Sequence, residues 1–223
     1  MTANIAGTPA LKGPRGQWLV PTGLILLSLI PIIAGAARLA ELTGGAIATA
    51  QNARFLDSPV PVVTHIVSVT IYSLLGALQF VPALRRRRGG WHRIAGRILI
   101  PAGLLAALSG IWMASFYSHP PGDGVFLLLL RLFFGSAMVV SIVLGIRAIV
   151  RRNFVLHSAW MTRAYAIGVG AGTQAVVLIP GSIIFGSTHE LSRTVLMGAA
   201  WVINLAMAEY VIRRRARRLP RGS

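Results

Sequence analysis

VFLLLLRLFFGSAMVVSIVLGIRAIV, the run from Val125 to Val150, decides the fold, because it holds two arginines, Arg131 and Arg147, and no acidic residue. The hydrocarbon core of a bilayer, about 30 Å thick, is crossed by about 20 apolar residues at the helical rise of 1.5 Å. The stretch therefore predicts a transmembrane helix, and the same ruler finds five more. The first runs from Trp18 to Ala37, the second from Val60 to Val81 and the third from Ile94 to Tyr117. The fifth runs from Ala159 to Phe185 and the sixth from Leu191 to Ile212. The small residues Ala34 to Ala36 resemble a signal-peptide cleavage site, but the apolar run before them is longer than a signal peptide carries. The expected architecture is all-α: a polytopic bundle of about six transmembrane helices in one domain over residues 17–212. It is preceded by a segment at 1–16 and followed by a basic tail at 213–223.

Composition agrees with that reading. Of 223 residues 55% are hydrophobic and 12% charged, whereas about a quarter are charged in soluble domains, so a water-soluble globule is excluded. The absence of cysteine excludes disulfides, thiolate metal sites, iron-sulfur clusters and a cysteine nucleophile. There are 22 Lys and Arg against 5 acids, a formal charge of +17. These charges follow topology. Lys12 and Arg15, Arg85 to Arg88 with Arg93 and Arg97, Arg147 with Arg151 and Arg152, and Arg213 to Arg218 fall on alternate connections. The connections between them carry Glu41 and Asp57, Asp123, and Glu190. By the positive-inside rule both termini are expected in the cytoplasm, and the basic clusters are expected to meet anionic headgroups rather than nucleic acid. The localisation expected is multi-pass in a bacterial cytoplasmic (inner) membrane.

Chemistry-bearing residues are few. Gly96, Gly103 and Gly110 repeat every seven residues on one face of the third span, and His92 stands a turn before them. Ala164, Gly168, Ala171 and Ala175 form a similar face in the fifth, with His157 before them on the same side. Such faces admit a neighbouring helix or the edge of a flat cofactor. In the second span His65, Ser68, Tyr72, Gly76 and Gln79 share one stripe that must point into the bundle. Glu209 and Arg213, at i and i+4, read as an interfacial ion pair, and Trp201 and Asn204 as helix-packing residues. No nucleophile elbow, phosphate loop or zinc-protease motif is present, and no catalytic residue is assigned.

The segments RRRRGGWHRIAGR, from Arg85, and RRNFVLHSAWMTR, from Arg151, share a plan: a basic run, a His, then Arg. They place His92 and His157 at matching depth. Two neutral imidazoles on facing helices offer both axial ligands of a b-type haem, with cations near its propionates. The candidate ligands are His92, His157 and, toward the other side, His65. The candidate cations are Arg93, Arg97 and Arg163, with Arg131 on the side of His65. Arg131 also reads as snorkelling to headgroups or pairing with an acid. His119 and His189 read as loop residues.

GALQFVPALRRRRGGWHRIAGRI from Gly76, HSAWMTRAYAIGVGAGTQ from His157 and AWVINLAMAEY from Ala200 resemble the bacterial membrane-protein family catalogued as domain of unknown function 2306. The resemblance covers the second to the sixth span. It implies a multi-span inner-membrane protein, with motif positions at His65, Gln79, His92, Arg93, His157, Trp160, Met161, Arg163 and Glu209, and names no reaction. Three functions stay open: a haem-b electron-transfer protein with a quinone or other redox partner, a non-enzymatic membrane subunit or assembly factor, and a carrier or binding protein for a small hydrophobic molecule.

Overall fold

The computed structural model describes residues 16, 18–81, 84, 89–120, 122–185 and 189–217. Lys12, Arg15, Arg85 to Arg88 and Arg218 lie outside them. Eight helices and no strand occur among the described residues: α1 (Leu19–Thr43), α2 (Ala53–Asp57), α3 (Pro59–Leu78), α4 (Gly89–Phe116), α5 (Val125–Val150), α6 (Phe154–Gly168), α7 (Gly170–Phe185) and α8 (Glu190–Ala216). Six stretches are long and apolar enough to cross a membrane, α6 and α7 together making one, so the chain is a multi-pass helical membrane bundle.

Two features were not legible in the hydropathy. The connection after α1 contains the short helix α2, and the fifth span is broken at Val169, which ends α6 with φ −87° and ψ 8°. The break falls within a glycine-rich run, Gly168, Gly170 and Gly172, where helix propensity is lowest short of proline. Asn204 of α8 holds both sides of it: its amide nitrogen donates to the Ala166 carbonyl at 3.0 Å, and its amide oxygen accepts from the Thr173 hydroxyl at 2.8 Å. Trp201, a turn earlier on α8, sits over Gly170 and stacks on Phe134 at 4.7 Å. Both residues therefore pack helices together, as their spacing predicts.

Local chemistry sets the other boundaries. Pro59 opens α3, a position where its missing N–H costs nothing. Asn153 caps α6, its side chain accepting from Leu156 N at 2.9 Å. The turn from α5 is closed by bonds from Arg152 N to Ile149 O and from Asn153 N to Ala148 O, both 2.9 Å, with Arg152 left-handed at φ 59°. That is the paired closure which more often carries glycine. In α1, Pro31 has no N–H to offer the Leu27 carbonyl. Gly172 of α7 packs on that carbonyl so closely that a Cβ would stand 2.3 Å from its oxygen.

In the packing order α4 lies between α3 and α5, α6 packs on α5, α8 on α6 and α7, and α1 on α3 and α7. The broken span is the centre and α1 the periphery: half of the most apolar window of the former is buried, and 11% of that of α1. The core is built on two tyrosines. The Tyr72 ring lies against Gly103 of α4 and Gly168 of α6, where a Cβ would come within 2.6 and 2.7 Å of it. The Tyr165 ring fills the space left by Gly76, and its hydroxyl donates to the Ser73 carbonyl at 2.8 Å. Gly103 of the third span and Gly168 of the fifth thus meet an aromatic ring supplied by the protein's own second span.

Candidate functional site

On the side away from the arginine clusters the helices diverge around a cavity of 410 Å³. Its deep wall is apolar, with Ala107, Gly110, Met138, Ile167, Gly168 and Trp201 among its residues. Its mouth is formed by Arg54 and Phe55 of α2, by Ser118 to Pro120 and Asp123 of the α4–α5 connection, and by Arg193 in the first turn of α8. His65 and Arg131 stand between these regions, each six residues in from the start of its helix, or about 9 Å at the helical rise.

The polar groups are fixed by the elements that carry them. Gly122, left-handed at φ 86°, turns the α4–α5 connection so that Asp123 N reaches the Pro120 carbonyl at 3.1 Å. The Asp123 carboxylate is then buried, its side chain 1% exposed. Its Oδ1 accepts from Arg193 Nε at 2.7 Å; Arg131 Nη2 lies 2.7 Å from Oδ2, close enough for an ion pair but out of line for a hydrogen bond. Arg54 donates to the Ser118 carbonyl at 3.2 Å, and Phe55 lies between the Arg54 and Arg38 guanidiniums at 4.6 and 4.5 Å. Partial burial first, and then the charge of Arg38, holds the Arg54 guanidinium below its ordinary pKa, with Asp123 opposing the shift.

His65 Nδ1 donates to the Ala106 carbonyl at 2.9 Å and lies 3.2 Å from the Ser109 hydroxyl oxygen. A carbonyl can only accept, so Nδ1 carries a proton. Gly110 leaves room for this ring, a Cβ there coming within 3.3 Å of Cε1. Gln174, also in the wall, donates to the Met197 carbonyl at 3.4 Å.

Of the residues singled out by sequence, His65 and Arg131 are brought together in this cavity, and His119 lies at its rim. The others are at the arginine-rich end. His92 Nδ1 forms a short hydrogen bond with the Gln79 side-chain oxygen. His157 Nδ1 donates to the Gly145 carbonyl at 2.9 Å. Arg163 grips Glu209 with two bonds, Nε to Oε1 at 2.5 Å and Nη2 to Oε2 at 3.1 Å, and lies 4.6 Å over the Trp160 ring. The hydrogen-bonded partner of Glu209 is thus Arg163 of another helix, with the charge of Arg213, one turn along, adding a lesser attraction. Arg93 and Arg97 are exposed on α4. Of the two readings of Arg131, pairing with an acid is the one seen.

Sequence reasoning passed over Arg54, Arg193 and Gln174, and took Asp123 only as a topology marker. A signal was available, because Arg54, Arg131 and Arg193 are arginines at the end where the positive-inside pattern leaves few. Among the described residues no group of three or more His, Asp or Glu side chains is placed to hold a metal.

No curated protein and no solved structure matches the chain. The family described as "Predicted membrane protein (DUF2306)" matches residues 62–212, from the second turn of α3 almost to the end of α8. With more than half of its length matched, the chain belongs to that family.

Proposed function

We propose that the protein binds a small, largely apolar molecule in this cavity, as a carrier or binding protein of a bacterial cytoplasmic membrane. With both termini in the cytoplasm, the cavity opens to the outer side. The observation that supports the reading is the cavity itself: 410 Å³ within the bundle, apolar in depth and polar at one end, the form of pocket that takes small molecules.

The test is saturable thermal stabilisation of the purified protein in nanodiscs by decanol, a neutral apolar probe, since a ligand that binds only the folded state raises its melting temperature. Ala171 lines the cavity with its side chain open to it. The Ala171→Phe protein is expected to fold and to lose the stabilisation. No saturable shift in the parent protein, or an equal shift in the variant, contradicts the reading.

A second reading keeps the b-type haem and its electron transfer. It is supported by the anchoring of His65 and His157, whose Nδ1 atoms each donate to a backbone carbonyl. That contact orients a ligating imidazole and leaves Nε2 for iron. A Soret band in protein purified from haem-supplied cells, weakened by His157→Ala or His65→Ala, supports it; colourless protein from such cells contradicts it.

A further inference from the structure

The cavity carries more positive charge than its own acid can answer. Three guanidiniums, those of Arg54, Arg131 and Arg193, stand in its wall with one carboxylate, Asp123. The chain has five acidic residues, and none of the other four lies in the cavity wall. Glu41 is bonded to Arg38 and to Asn52, and Glu209 to Arg163 at the far end. Asp57 and Glu190 are exposed and outside the cavity wall, Glu190 folding over Gly124. The wall therefore holds three guanidiniums against one carboxylate.

We infer that the ligand is an amphipathic anion: a single hydrocarbon chain lying in the apolar depth between Gly110, Met138, Gly168 and Trp201, with a carboxylate or phosphate head at Arg54, Arg131 and Arg193. This rests on the cavity being a binding site, and it adds the class of ligand. Arginine's planar fork matches oxyanion geometry, and charge-assisted bonds of this kind are about twice as strong as neutral ones. The guanidinium groups at the mouth retain donors that Asp123 does not take up, since among the described residues Arg193 gives it one hydrogen bond and Arg54 hydrogen-bonds to the Ser118 carbonyl. The charge is also segregated: arginines stand at the mouth and at the level of His65, whereas Gly110, Met138, Gly168 and Trp201 in the depth are apolar, so a molecule with its charge at one end fits in one orientation only.

Displacement of a fluorescent fatty acid from the protein in zwitterionic nanodiscs, at alkaline pH, ranks decanoate, decyl phosphate, decanol and decyltrimethylammonium, which share one chain length. One charge-assisted bond is worth about 1.5 kcal/mol, or tenfold in affinity. Decanoate or decyl phosphate is thus expected to bind about tenfold or more tightly than decanol, and decyltrimethylammonium more weakly than decanol. The better of the two anions identifies the head as carboxylate or phosphate. Arg193→Gln should remove most of the preference for the anions over decanol; Arg54→Gln, whose side chain has no part in the Asp123 pair, should reduce that preference in a protein of unaltered fold. Equal binding of anions and decanol, or a preference that survives both variants, overturns the anionic head while leaving the cavity a binding site. Failure of all four probes to displace overturns both.

Discussion

The two ends of the bundle are built from the same helices and differ in what those helices enclose. At the arginine-rich end three polar contacts tie helices together: His92 with Gln79, His157 with Gly145, Arg163 with Glu209. Midway, the Tyr72 and Tyr165 rings occupy the space that glycines open. At the opposite end α3, α4, α5, α7 and α8 draw apart around a cavity, and an ion cluster tops it. The segments with recognisable motifs thus clamp the fold, and the end with few of them has room for a ligand.

That contrast is broken most severely by removing the carboxylate at the open end. Asp123→Ala leaves Arg131 and Arg193 facing each other with their buried counter-ion gone, and is expected to cost about 3 kcal/mol, the lower end for a broken buried pair because both arginines are partly exposed. Reversible unfolding in mixed detergent measures it; a loss below about 1 kcal/mol, the scale of an exposed pair, would mean that the carboxylate is hydrated.

In the packed middle, Gly103→Ala pushes a methyl group into the Tyr72 ring and the Ile142 side chain and should cost about 1–3 kcal/mol. Gly96→Ala, on the same seven-residue repeat with nothing within 4 Å, should be neutral or slightly stabilising because alanine is the better helix former. Equal costs at the two positions would deny that the ring contact is what holds the glycine.

A smaller effect is expected at the arginine-rich clamp. A double-mutant cycle of Arg163→Ala and Glu209→Ala should give a coupling of about 1 kcal/mol, since the pair is bidentate but about a third exposed. Zero coupling would make the contact incidental.

How far the sequence reaches follows the same division. The spans were legible because transfer into lipid demands long apolar runs, and the fourth, Val125–Val150, agrees with the helix to the residue. The inward direction of the His65, Ser68 and Tyr72 stripe was legible because lipid excludes polar groups. The break at Val169 was not, since a glycine-rich run keeps the same hydropathy whether or not the helix is continuous. The site was half legible. His65 and Arg131 stand out inside apolar spans, whereas Arg54, Asp123 and Arg193 sit near span ends, where charge is ordinary, and only the fold brings them together across 70 residues of chain between Asp123 and Arg193.

The central claim is that the ligand sits inside the bundle at the open end. Photolabelling with a decanoate analogue bearing a diazirine at its chain terminus, followed by peptide mapping, tests it most directly. Labels are expected on the depth residues Met138, Ile167 or Trp201, and excess decanoate should suppress them. Labels confined to lipid-facing side chains such as Phe133 and Val140, insensitive to decanoate, would contradict it.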